Sequence, residues 1–309
     1  MNEVPEEVRA LVGQRDAARR AKDFIEADAL RERIRVAGFD LVDTPSGSEL
    51  VPRRDEIADG ESPTVYGSSE AVPSALEEAP AFDASIQWVV QGWPEDVARG
   101  IESFRRHAGD RTAQHVVVDL TGTTKDTWAK GTDLIRLSPE AGWAECRNAG
   151  LRRASGRVVV VVDGSVEADG PVIDPLIQAL EDRTIGLTGP FGIVTEDLRE
   201  FEDSSGPEVD AVESYLMAFR RELVEEGLRF DDRFKFYRTA DIELSFQVKG
   251  MGYRATVTSV PVRRHEHRMW ANTPEAERDR LSKRNFYRFL DKWRGRKDLL
   301  VSARGAGPN

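Results

Sequence analysis

The chain has 309 residues, 39% hydrophobic and 32% charged, which leaves room for two soluble domains. Its 44 Lys plus Arg stand against 55 Asp plus Glu, a net charge of −11 that disfavours general affinity for nucleic acid, because neutralising phosphates needs concentrated positive charge. The longest strongly apolar run, Val158–Val162, is far short of the roughly 20 residues of a bilayer helix; Met1–Ala10 is acidic and lacks the basic, then apolar, pattern of a leader, so the expected location is cytoplasmic. Cys146 is the single cysteine, which excludes an internal disulfide and a cysteine-rich zinc site and predicts a small packed residue.

Residues 4–37 carry Leu11, Ala18, Phe24, Ala27, Leu30 and Ile34 at helical spacing, a helical hairpin. Asp23 followed by Glu26 is a capping-box pattern for the second helix, and Gly38 is its stop. Phe39–Val51 holds Asp43-Thr44-Pro45-Ser46-Gly47, turn chemistry between two short extended pieces. Arg15-Asp16-Ala17-Ala18-Arg19, Lys22-Asp23-Phe24, Ala27-Asp28-Ala29-Leu30-Arg31, Gly38 and that turn resemble the C-terminal tail module of cysteinyl-tRNA synthetases. The resemblance covers about fifty residues and not the synthetase's catalytic domain, so it does not imply aminoacylation. Eight basic against eleven acidic side chains between Met1 and Leu50 point to a docking module, with RNA association the weaker alternative.

Residues 53–82, rich in Asp, Glu, Ser and Pro, have the composition of a flexible linker between a 1–52 module and a larger second domain. From residue 83 strands alternate with helices, an α/β layer pattern. Expected strands are Ser85–Val90, His115–Asp119, Arg157–Val162, Ile185–Gly189 and Ala255–Val262; expected helices are Pro94–His107, Ala141–Ala154, one around Pro175–Leu180 and Ile242–Lys249. Five consecutive valines, Val158–Val162, read as a strand buried on both faces. In 273–309, Thr273 and Pro274 are expected to start a helix whose apolar stripe is Leu281, Phe286, Phe289, Leu290 and Trp293, with basic residues on a solvated face.

Ala144-Glu145-Cys146-Arg147-Asn148-Ala149-Gly150-Leu151, Ala154-Ser155-Gly156-Arg157-Val158 and Val162-Asp163-Gly164-Ser165 resemble the central stretch of family 2 glycosyltransferases. Ala218-Phe219-Arg220-Arg221, Phe230-Asp231-Asp232-Arg233-Phe234, Ala240-Asp241-Ile242-Glu243-Leu244 and Gly250-Met251-Gly252-Tyr253-Arg254 resemble the second half of the same fold. The resemblance implies a GT-A (Rossmann-like) mixed sheet flanked by helices over 83–272, and transfer of a sugar from a nucleotide-diphosphate donor to an acceptor hydroxyl, with inversion. A non-catalytic domain that binds nucleotide sugar or a protein partner is the alternative.

By that resemblance Asp241 is the general base, with capping of Ile242–Lys249 as its ordinary alternative; Glu243 is a second candidate base, otherwise an exposed helix residue. Asp163 matches the first acidic position of the family's Asp-x-Asp motif, which helps hold a divalent ion, Mn or Mg, on the diphosphate. Ser165 replaces the second Asp and is the poorer ligand for a hard cation. His265 and His267 fall where the family places a histidine near the diphosphate, and alternate spacing in an extended chain puts both rings on one face. Asp119 matches the base-reading position or caps the turn at Thr121-Gly122-Thr123. Trp93 can stack on a base or is a packed loop residue beside Pro94; by the resemblance Arg147 opens toward the crevice and meets phosphate or base, with a surface ion pair as its ordinary alternative. Gly189–Asp210 is the expected acceptor lid.

Overall fold

The computed structural model describes residues 6–21, 23, 26–27, 30, 33–34, 39–44, 47–52, 64–123 and 127–305. They fall into two compact units, Met1–Pro63 and Thr64–Asn309.

In the first unit, α1 spans Glu6–Arg20, and strands β1 (Phe39–Thr44) and β2 (Gly47–Pro52) form an antiparallel hairpin in which Thr44 faces Gly47. The capping residue acts as the sequence predicts: Asp23 Oδ1 accepts the Glu26 N–H at 3.1 Å. Val8, Ala27, Leu30 and Ile34 are buried. Phe24, Gly38, Pro45 and Ser46 lie outside the described residues.

The second unit is organised by one mixed sheet. Its strands in chain order are β3 (Val65–Tyr66), β4 (Phe82–Val90), β5 (Ala113–Asp119), β6 (Thr132–Leu137), β7 (Gly156–Val162), β9 (Ile185–Gly189), β12 (Glu208–Val209), β14 (Leu216–Arg220) and β15 (Arg254–Val257). The order across the sheet is β12-β15-β9-β14-β7-β4-β5-β6-β3. β3, β6, β5, β4 and β7 run parallel; β14 is antiparallel to both β7 and β9. The five valines of β7 divide by parity: Val159 and Val161 enter one apolar cluster, and Val158, Val160 and Val162 the other.

Helices α2 (Pro94–Arg106) and α4 (Ile173–Glu181) cover the second of those clusters, where Trp88 meets Phe104 edge-on at 5.3 Å. Gly100 admits that indole, since a Cβ there would lie 2.6 Å from it. The other face is covered by α3 (Trp143–Arg152), and by α6 (Ala240–Gly250) with α8 (Glu275–Trp293). The short helices α5 (Arg221–Glu225), α7 (Arg268–Asn272) and α9 (Val301–Gly305) also belong to this unit. Cys146 is buried in the α3 layer as expected, and burial pushes its thiol up to about 12. Two small sheets flank the main one: β11 (Glu202–Ser204), β10 (Gly192–Val194) and β13 (Ala211–Val212), and the pair of β8 (Val166–Ala168) with β16 (Val262–Arg264).

Four expectations need correction. The linker reading of 53–82 does not hold over 64–82: β3 pairs with β6, Val72 and Ala75 are buried, and Arg152 Nε donates to the Val72 carbonyl at 2.9 Å. Two small apolar residues and a short edge strand suffice there because a preformed helix receives them. The single strand Ala255–Val262 is two, β15 and β16, in different sheets; Pro261, which has no N–H to donate to a ladder, sits at the break. Thr273 does not start α8; its hydroxyl donates to Met269 O at the end of α7. Phe286 leaves the buried stripe on which Phe289 and Trp293 lie, and lines a cleft instead.

Candidate active site

β7 ends at Val162 and the chain turns, so Asp163 stands at the carboxyl end of a parallel strand, where open α/β sheets bind ligands. Three contacts fix it. Its N–H donates to Tyr215 O at 3.0 Å, and its Oδ1 accepts the Ser165 N–H at 2.9 Å and the Ser165 hydroxyl at 2.5 Å. Oδ2 lies 3.4 Å from His267 Nε2, and 21% of the side chain remains exposed. Burial, the largest single influence, pushes this carboxyl up, but His267 and the Ser165 donors together outweigh it and hold it at about 2.

Asp241 lies in the first turn of α6, after Thr239, which holds the N-cap position with a left-handed backbone (φ 72°). Its Oδ2 accepts the Ser214 N–H at 3.0 Å and the Ser214 hydroxyl at 3.3 Å; Oδ1 accepts the Ile242 N–H at 2.9 Å. Burial raises its affinity for a proton, and the Ser214 and Ile242 donors oppose that without cancelling it.

Asp163 and Asp241 line one cleft of about 370 Å³. His267, Tyr215 and Tyr237 stand on its inner wall, and His267 stacks on Tyr237 at 4.4 Å. Ile193 and Asp203 of the small three-stranded sheet, Phe201 just before β11, and Phe286 of α8 line its rim, so part of the segment expected as a lid borders the cleft. Trp93, with φ 51°, lines a smaller cavity of roughly 50 Å³ that shares Asp163 and His267 with the cleft.

Other candidates are placed elsewhere. Arg147 does not open to the crevice. It is buried, stacks on Trp143, and donates to Gln87 O and Val162 O, tying together the ends of β4 and β7; burial brings it down to about 10. The two histidines do not share a face, because β16 stops at Arg264: His265 Nε2 meets Glu167 at 2.7 Å and lines neither cavity, whereas His267 turns in to Asp163. Asp119 is buried and takes its turn-capping role, Oδ1 accepting the Thr121 N–H at 2.8 Å; its Oδ2 is without a hydrogen-bond partner among the described residues, and it does not line the cleft. Glu243 is not exposed: it is buried, accepting from Lys292 at 2.5 Å and from Gln247 at 2.6 Å, which makes it a clamp between α6 and α8.

Among the cleft residues that the sequence did not single out are Glu213, Ser214 and Arg238, and Arg199 was covered only as part of the expected lid. Glu213 is held up at about 7, chiefly by burial and then by the charge of Asp241, with Arg264 opposing from 3.8 Å. Their signal was ordinary, single charged or polar residues in loops.

A divalent cation fits this donor set poorly. No group of three or more His, Cys, Asp or Glu suited to a metal occurs among the described residues. Ser165 spends its hydroxyl on Asp163, and His267 Nδ1 accepts the Trp270 N–H at 3.2 Å, which leaves the proton on Nε2, the atom facing Asp163. That leaves Asp163 Oδ2 as the free charged ligand atom of this turn, beside the neutral Ser165 oxygen, whose hydrogen goes to Asp163.

No protein-family model matches the chain. Among curated proteins it is similar to cysteine–tRNA ligase of Halorhodospira halophila, 52% identical over 44 residues, and of Opitutus terrae, 50% identical over 52 residues. Those matches cover 14% and 17% of this chain and 10% and 11% of the ligases, so the chain spans about a tenth of the relatives it matches. Among solved structures, GalNAc-T7 with UDP, GalNAc and Mn2+ superposes with a TM-score of 0.55 at 17% identity, over 70% of this chain and 49% of that one. A mannosyltransferase from Pyrobaculum calidifontis with GDP-Man and Mn2+ gives 0.46 at 19% identity, over 77% and 80%. Among the described residues no helix is long and apolar enough to cross a membrane. The chain has a mixed α/β fold of the GT-A glycosyltransferase type, together with a short segment similar to cysteine–tRNA ligases.

Proposed function

We propose that this chain is a glycosyltransferase that moves a sugar from a nucleotide-diphosphate donor to an acceptor hydroxyl, with inversion. The observation that supports it is the meeting of Asp163 and Asp241, far apart in sequence, on one cleft at the carboxyl end of the sheet. In this reading the acceptor hydroxyl gives its proton to an Asp241 carboxylate oxygen and its oxygen bonds to the anomeric carbon. The bond from that carbon to the diphosphate breaks, and the nucleoside diphosphate leaves with the electron pair. A single displacement from the opposite face inverts the centre. The raised proton affinity of Asp241 suits a base. Asp163 and the His267 Nε2–H lie between the two cavities, so we assign the donor's diphosphate to that boundary and its base to the Trp93 side. No step is routed through a metal.

Asp241→Asn is expected to lower transfer by about 10²–10⁴-fold while a calorimetric titration shows donor affinity kept; unchanged turnover removes the base assignment. A second reading, a non-catalytic domain that binds nucleotide sugar or a protein partner, is favoured by the Ser165 hydroxyl being committed to Asp163. Donor binding with neither hydrolysis nor transfer over a panel of nucleotide sugars selects it.

A further inference from the structure

Three non-glycine residues with positive φ occur among the described residues, Trp93 (51°), Leu198 (68°) and Thr239 (72°). Such backbone costs energy and persists where its surroundings impose it, commonly at ligand sites. Trp93 lines the smaller cavity. The other two immediately adjoin the arginines of the cleft's lip: Leu198, fully buried, precedes Arg199, and Thr239 comes directly after Arg238. Both arginines are exposed, and neither makes an ion pair with a carboxylate among the described residues; Arg238 rests its guanidinium over Trp270 at 5.2 Å. What sets these two apart from other arginines without a carboxylate partner among those residues, such as Arg229 and Arg284, is that both line the cleft. Of the acidic groups on the same cleft, Asp163 is met by His267, Asp241 by Ser214 and Glu213 by Arg264, which leaves Asp203 on the lip. Phe201 and Phe286, both partly exposed, line the same cleft and are aromatic side chains of the kind that pack against a pyranose.

We propose that Arg199 and Arg238 bind an anionic group, carboxylate or phosphate, on the sugar acceptor, whose ring lies against Phe201 and Phe286. The inference rests on the transferase reading, because it assigns this lip to the acceptor. A guanidinium offers paired donors to either oxyanion, and packing of the sugar ring against the aromatic side chains holds the remainder of the acceptor in the cleft that Asp241 lines.

The test is direct binding to the full chain, independent of turnover, by ligand-observed NMR with matched probes: methyl glucuronide against methyl glucoside, and glycerol 3-phosphate against glycerol. At least one charged probe is expected to bind about tenfold or more tighter than its neutral partner. The preference should shrink with added salt and be absent in Arg199→Gln/Arg238→Gln; either single variant serves if the double does not fold. Which pair shows it tells carboxylate from phosphate. Equal binding within both pairs, or a preference that survives the substitutions, overturns the proposal. Displacement of the charged probe by UDP or GDP also overturns it, since the arginines then belong to the donor. Failure of the transferase reading is seen separately, as absence of nucleotide-sugar turnover.

Discussion

Glu213→Gln removes one titrating carboxyl from the cleft wall, and with it a pH-dependent penalty on the fold. In the folded chain Glu213 moves from 4.5 to about 7, burial being the main cause and the charge of Asp241 the next. A group that binds its proton more tightly when folded penalises the fold once that proton leaves, so stability falls as pH rises from about 4.5 to about 7 and is level above. At 1.36 kcal/mol per unit the full displacement corresponds to about 3 kcal/mol. With 27% of the side chain open to solvent and Arg264 at 3.8 Å, about 1–2 kcal/mol is the expected size. The amide neither ionises nor changes shape greatly, so Glu213→Gln should unfold in urea with stability close to wild type at pH 5 and about 1–2 kcal/mol above it at pH 8, at equal m-value. All six tryptophans lie beyond residue 63, so their fluorescence reports the Thr64–Asn309 unit alone. Asp163 does not interfere: its carboxyl is displaced downward to about 2, and its contribution, present above 3.8, is lost only as pH falls toward 2. If wild type and variant lose the same stability between pH 5 and pH 8, Glu213 is not the group that titrates.

Other substitutions probe the frame around the cleft. Lys249→Met strands the carboxylate of Asp210, which Lys249 meets at 2.6 Å with both side chains buried, and should cost about 3–5 kcal/mol in urea unfolding; a loss under 1 kcal/mol would mean that the carboxylate does not depend on this ammonium for its charge. Gly156→Ala would set a Cβ 2.3 Å from the backbone of Ala84 and Ser85, so β7 must separate from β4, and a loss of at least about 1–3 kcal/mol is expected by the same measurement. Treatment with a chelator, then calorimetry with and without manganese, should change nucleotide affinity by less than about tenfold, about 1.4 kcal/mol, because Ser165 is a neutral, weaker ligand for a hard cation and His267 is otherwise engaged. A larger gain with manganese would show that His267 gives up its hydrogen bond from Trp270 to ligate.

The parts of this structure that were legible in the sequence are those written locally. The valine run of β7, the Pro94 start of α2 and the Ile185–Gly189 strand come from periodicity and breaker residues, and the structure contains each. Asp163 and Asp241 were singled out through the resemblance to family 2 glycosyltransferases, and the structure sets both on one cleft. What was not legible depends on partners supplied by folding. Arg147 looked like a phosphate ligand until the carbonyls of Gln87 and Val162 took its donors. His265 and His267 separated because β16 pairs with β8 only as far as Arg264. Glu213 has nothing distinctive near it in sequence; its displaced proton affinity comes from burial, Asp241 and Arg264, the last two brought to it by the fold.

One short segment explains how two distant carboxylates come to share a cleft. Glu213, Ser214 and Tyr215 run between β13 and β14, and two of them each hold one aspartate: Ser214 donates twice to the Asp241 carboxylate at Oδ2, and the Tyr215 carbonyl accepts the backbone N–H of Asp163. The Glu213 N–H in turn is fixed to Phe191 O, next to β10. β14 lies beside β7 in the sheet, with Leu216 opposite Val162, so Tyr215 is delivered to the start of the Asp163 turn by strand register alone. The separation of Asp163 and Asp241, the proposed donor-side carboxylate and base, is therefore tied to the β14–β7 register through one short segment. That is the kind of placement a displacement reaction requires, since a shift of about 1 Å between reacting groups costs on the order of 10²-fold in rate.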